Sequence, residues 1–99
     1  MTNYEVEQRF WRGKAGHSLN VRSTGDKLFS YYTCILQRLA DDRIVGNVTR
    51  YSVSTSKHQS VCGVRGADIL VDGIARGTQD LTKYAERMTM SEVGSHGNM

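Results

Sequence analysis

Residues 28–60, LFSYYTCILQRLADDRIVGNVTRYSVSTSKHQS, decide the fold. β-Branched and aromatic side chains crowd the first two-thirds and no proline interrupts it, so the stretch reads as two strands followed by a helix start. Asp41 and Asp42 supply the turn, because aspartate tolerates the backbone that a short hairpin loop needs. Folding back on these aspartates sets Leu39 against Ile44, Ile35 against Val48, Leu36 against Asn47 and Tyr32 against Tyr51. One face then gathers Leu39, Ile35, Ile44 and Val48, and the other Leu28, Tyr32, Leu36, Tyr51 and Val53. Side chains alternate along a strand, so apolar groups on both faces imply a sheet covered on both sides.

Upstream, Tyr4, Val6 and Phe10 alternate weakly within residues 3–11, which read as a first strand. Residues 13–16 read as a loop, and Ser18–Ser23 as a second strand with Leu19 and Val21 on one face. Ser23-Thr24-Gly25-Asp26 is a turn signal leading into the central hairpin. Downstream, Ser54, Thr55 and Ser56 are N-cap candidates for a helix over about 56–66, with Val61, Val64 and Ala67 on one face. Gly63 and Gly66 limit its length, and Ile69–Val71 is either a short strand or the last turn. A second helix spans about 78–90, with Asp80 in its first turn and a stripe of Leu81, Tyr84, Ala85 and Met88. The expected architecture is α+β, an antiparallel sheet of three to five strands around the hairpin at about 28–54, with one or two packed helices. Residues 1–90 make a single globular domain, and the small polar residues 91–99 read as a flexible tail.

A chain of 99 residues supports one core. Its formal charge of +3 favours an acidic partner, either nucleic acid or an acidic protein face. No apolar run reaches membrane-spanning length, the N-terminus carries no apolar leader, and two widely spaced cysteines suit a reducing compartment. These features point to a cytoplasmic protein without membrane association.

The chemistry-bearing residues form no catalytic or cofactor pattern. His58 and Cys62 stand four apart, as metal ligands on a helix can, but no second such pair completes a zinc set. Cys34 or Cys62 beside His17 or His58, or the aspartates, could serve a small hydrolase, yet no signature surrounds them. The glycines at 63, 66, 73 and 77 lack the GxxxxGK(S/T) order of a phosphate loop. No metal, cofactor or enzymatic activity is therefore expected. Binding candidates are clearer. Arg9, Trp11, Arg12, Lys14 and Arg22 mix cations with an aromatic ring, and no acidic residue lies between Glu7 and Asp26. Nucleic-acid surfaces use that mixture, although a solvated loop between strands, with Trp11 buried as a core anchor, is the simpler explanation. Tyr31, Tyr32 and Tyr51 on the hairpin, with Lys57 on the following helix, form a second candidate face if exposed, or core with satisfied hydroxyls if buried.

Leu28-Phe29-Ser30-Tyr31, then Thr33 and Ile35, then Tyr51-Ser52, and finally Ser54-Thr55-Ser56-Lys57-His58-Gln59 make a recognisable series. It resembles small uncharacterised phage-encoded proteins carrying an L-x-S-Y hairpin strand and a T/S-S-x-H helix start, departing from them at Leu36, where alanine is usual. The resemblance implies a viral or mobile-element origin and a sheet followed by a helix. The expected function is that of a non-enzymatic phage accessory protein that binds and modulates or inhibits a host or defence component in the host cytoplasm. The alternative is a small basic nucleic-acid-binding module using residues 9–27. An uncovered sheet edge would also permit a homodimer.

Overall fold

The computed structural model describes residues 1–51 and 53–86. Six strands, β1 (Ala15–His17), β2 (Val21–Thr24), β3 (Lys27–Ser30), β4 (Thr33–Arg38), β5 (Ile44–Asn47) and β6 (Ile69–Val71), form one sheet in chain order. The first five make an antiparallel meander, and β6 lies parallel to β5. Parallel neighbours need a crossover, which α2 (Val53–Val61) and a 3-10 turn (Val64–Gly66) provide. The α+β class is as expected, with one strand more than the upper count.

Residues 3–11 are a helix, α1 (Asn3–Trp11), where alternation suggested a strand. The local cause is a capping box. The Thr2 hydroxyl accepts the Glu5 N–H (3.1 Å) while the Glu5 carboxylate accepts the Thr2 N–H (3.3 Å). Val6 and Phe10, one turn apart, then enter the core fully buried. Arg38 fixes the other end of the helix. It donates to the carbonyls of Phe10 (2.9 Å), Trp11 (3.4 Å) and Gly25, and its guanidinium lies 4.9 Å from the Phe10 ring centroid. A cation on the last carbonyls of a helix complements the helix dipole.

The sheet is covered on both faces. Val6 and Phe10 of α1 join Val21, Leu28, Ile35, Leu36, Ile44, Cys62 and Val64 on one side. Phe29, Cys34, Val45 and Val71 meet Ile74, Leu81 and Ala85 on the other. Leu81, Tyr84 and Ala85 therefore face the core as the stripe suggested, although the helix begins only at residue 82. Met88, the remainder of the expected 78–90 helix and the expected 91–99 tail lie outside the described residues.

Side chains of β4 and of the chain just after β5 hold the irregular segment 72–81. Buried Gln37 accepts the Leu81 N–H (2.6 Å) and donates to Thr82 Oγ1 (2.8 Å) and Asp80 Oδ1 (3.2 Å). Thr33 Oγ1 accepts the Gly77 N–H, and Thr49 Oγ1 accepts the Ile74 N–H, each at 2.9 Å. Backbone groups that a strand ladder would have satisfied are paired this way instead, as buried polar groups must be.

The central hairpin departs from the expected register. Leu36 pairs with Gly46, Gln37 with Val45 and Arg38 with Ile44, one residue out of step. The stretch expected as one strand is itself a hairpin, with β3 and β4 joined by Tyr31 and Tyr32. Tyr32 therefore sits in a turn and is not the cross-strand partner of Tyr51. Leu28 pairs with Leu36 and Phe29 with Cys34, so Ile35 is an extra residue in β4. Such a bulge suspends alternation, and Ile35 and Leu36 both reach the same core.

Other corrections are local. Residues 18–20 are a turn between β1 and β2, leaving Leu19 exposed and away from Val21. Residues 54–56 lie within α2 instead of capping it, Val61 is exposed while Val64 is buried, and Gly63, at φ 66°, ends the helical path before Gly66. Ile69–Val71 is a strand.

Gly46 is required by a close approach. A Cβ there would overlap the Val64 carbonyl oxygen and lie 2.9 Å from Ala67 Cβ. Gly46→Ala should destabilise the domain by about 1–3 kcal/mol, the usual cost of overpacking, measured as a lower urea midpoint at unchanged slope.

Candidate functional site

Two turns meet at one end of the sheet. The Tyr31 N–H donates to the Asn20 carbonyl (2.8 Å), tying the β3–β4 turn to the β1–β2 turn. Ser18 donates to Asn3 Oδ1 (2.6 Å), and so links the same corner to the start of α1. Tyr31 adopts φ 56°, a conformation that bulky residues rarely hold and that is kept only where the surroundings enforce it. The enforced backbone presents two rings outward. Tyr32 is 77% exposed, Tyr31 45%, and neighbouring Leu19 95%.

Behind Tyr31 lies a buried polar cluster. Ser30 Oγ and His58 Nδ1 share a 2.6 Å hydrogen bond, and the Thr55 hydroxyl is 3.4 Å from Ser30 Oγ. The Tyr31 ring lies 5.7 Å, centroid to centroid, from the His58 ring. Burial, and secondarily the adjacent Lys57 charge, hold His58 below its ordinary pKa of 6.5, so the ring is neutral at pH 7. A neutral ring lets Nδ1 accept the serine proton. In the other tautomer Nδ1 donates and the serine proton turns to Thr55. Ser30 shows 1% of its surface, and the bond's direct effect is to fasten the strained turn to α2.

Two clefts flank the tyrosines. One, of about 360 Å³, is lined by Ser30, Thr33, Thr55 and Arg76, and the other, of about 300 Å³, by His17, Leu19, Asn20 and Arg22. Tyr31 and Tyr32 line both, and among the described residues no aspartate or glutamate lines either. The end of the sheet is thus aromatic and apolar at its crest and cationic at its margins.

The basic stretch expected as one patch is divided. Arg9, Trp11, Arg12 and Lys14 surround the C-terminal end of α1. Arg9 donates to the Ala15 carbonyl (3.4 Å), and Arg12 is the helix C-cap. Trp11 is 36% exposed, with its indole N–H on Glu7 Oε1 (2.9 Å) and its ring edge-on to Phe10. Arg22 lies on the opposite face of the sheet, 4.6 Å over the Phe29 ring, and belongs with the tyrosine turn.

Tyr51 is removed from the candidate surface. Its hydroxyl donates to the Ile74 carbonyl (2.6 Å) and accepts from Asn47 Nδ2 (3.0 Å), which anchors the chain after β5. Lys57 is exposed on α2 and acts on the site through the charge it places beside His58. Leu19, Asn20 and Arg76 escaped the sequence reading. Ser18 and Asn20, both turn formers, were the available signal for Leu19, and nothing local marks Arg76.

Burial pushes the thiols of Cys34 and Cys62 up to about 12, away from the thiolate that a cysteine nucleophile needs. Among the described residues no three histidine, cysteine or acidic side chains gather as metal ligands. The chain matches no family model, no curated protein and no solved structure.

His58 gives the site a pH dependence. A histidine whose folded pKa is depressed contributes stability that is complete above its unfolded pKa and is lost as pH falls through the folded value. Stability measured by urea melts should therefore decline from pH 6.5 downward. His58→Asn, which can still bond Ser30, should flatten that part of the profile, and an unchanged slope would show that the histidine does not titrate as described.

Proposed function

We propose that this domain is a non-enzymatic binding protein that acts by occupying a partner's surface through the end of the sheet bearing Leu19, Tyr31 and Tyr32. The supporting observation is the exposure of these three side chains on two turns bonded to each other. Exposed tyrosines on a held backbone supply contact area at low entropic cost, the property that makes tyrosine common at binding hot spots. Arg22 and Arg76 at the margins favour an acidic rim on a protein partner. The likeness to phage-encoded proteins supports a host or defence component as that partner, met in the host cytoplasm. No described helix is long and apolar enough to cross a membrane.

One observation favours nucleic acid as a second reading. Among the described residues neither cleft carries a carboxylate, and bases could stack on Tyr31 and Tyr32 while Arg22 and Arg76 meet phosphates.

Paired variants separate the readings. Leu19→Ser with Tyr32→Ala alters only exposed side chains, so the melting midpoint should stay within about 0.5 kcal/mol of the parent. Affinity capture from host lysate should return a protein partner that the double variant fails to retain, with affinity lowered at least about tenfold. A partner held equally by both forms contradicts the assignment. Salt-sensitive binding of fluorescent DNA or RNA that the variant abolishes would favour the second reading.

A further inference from the structure

A separate cleft of about 410 Å³ opens where the chain leaving β5 passes the end of α2. Arg50 and Arg65 stand on its walls, both exposed, with no hydrogen bond or ion pair to any described residue. Ser56 and Ser60, one helical turn apart on α2, add two hydroxyls, while Val48 and Val64 supply apolar surface. Among the described residues no aspartate or glutamate lines it.

The cleft is built from constrained parts. Gln59 Nε2 donates to the carbonyls of Asn47 (2.6 Å) and Thr49 (3.0 Å), fastening the segment before Arg50 to α2. On the other side, Gly63 at φ 66° turns the chain into the 3-10 segment that carries Arg65, and Gly46 lets the Val64 carbonyl settle against β5. Two arginines that line one concave surface without a counter-charge among the described residues raise the local concentration of anions. Guanidinium forks and hydroxyl donors are the groups that bind phosphoryl oxygens, and two cations match the dianionic charge of a phosphate monoester better than the single charge of a diester.

We infer that this cleft binds the terminal phosphate monoester of a small molecule. Arg50 and Arg65 meet the phosphoryl oxygens, Ser56 and Ser60 donate to them, and the body of the ligand rests on Val48 and Val64. This site is distinct from the tyrosine end of the sheet and does not depend on the function proposed for that surface.

The test is a proton–nitrogen NMR titration of the full chain with adenosine 5′-monophosphate. An octathymidylate without terminal phosphates and sodium chloride at matched ionic strength run in parallel. The monophosphate should produce saturable shifts at the Gly63 and Gly66 amides, weakening as pH falls through the second phosphate pKa near about 6. Arg50→Gln and Arg65→Gln, each checked for a dispersed spectrum, should separately weaken binding by about tenfold, the loss of one charge-assisted contact. Neither variant touches the core, so folding is expected to persist in both. Equal shifts with chloride, equal or tighter binding of the octathymidylate at the same amides, or unchanged affinity in both variants would overturn the inference.

Discussion

The extra residue in β4 is the constraint on which the structure depends. With Leu28 opposite Leu36 and Phe29 opposite Cys34, Ile35 is added without a partner, and two consecutive apolar side chains enter one core. That core is the one α1 and the end of α2 cover through Val6, Phe10 and Cys62. Cys34 and Gln37 in turn both reach the other face, where the Cys34 thiol lies 4.0 Å from Gln37 Oε1 and Gln37 holds the segment at Leu81. A regular β4 would send either Ile35 or Leu36 to the Gln37 side, and one of the two layers would lose part of its packing. Because strand periodicity is two, an error of one residue is the most disruptive kind.

The polar residues of the central stretch converge through this arrangement. Ser30 and His58 join the β3–β4 turn to α2, Thr33 and Thr49 hold the segment at Gly77 and Ile74, and Gln59 closes α2 onto the chain after β5. Together these bonds make one connected scaffold. They leave free what the scaffold presents, namely Leu19, Tyr31, Tyr32 and the arginines at the margins of the clefts.

Much of the architecture was legible from residues 1–86. The Gly25 turn, apolar coverage of both sheet faces, a helix after the hairpin and the inward face of Leu81 and Ala85 all follow from pattern. The first helix was misread although its signal was present. Thr2-x-x-Glu5 is a capping box, and Val6 and Phe10 fit helical spacing better than alternation. The Tyr31-Tyr32 turn was not legible, because a tyrosine at positive φ is imposed by tertiary contacts and has no local signature. The bulge was invisible for a related reason, since two adjacent apolar residues read equally well as a strand buried on both sides. The candidate surface suffered most. Cations adjacent in sequence were divided between two faces by the turn at 18–20, and Arg76 reached the site only through the docking of residues 72–81 on the sheet.

The bulge can be read directly from methyl and backbone nuclear Overhauser effects in the full chain. The account predicts Ile35 and Leu36 methyls both close to Val6, Phe10 or Cys62, neither close to Leu81 or Ala85, with cross-strand contacts from Leu28 to Leu36 and from Phe29 to Cys34. A regular ladder pairing Phe29 with Ile35, with one of the two side chains against Leu81, would contradict it.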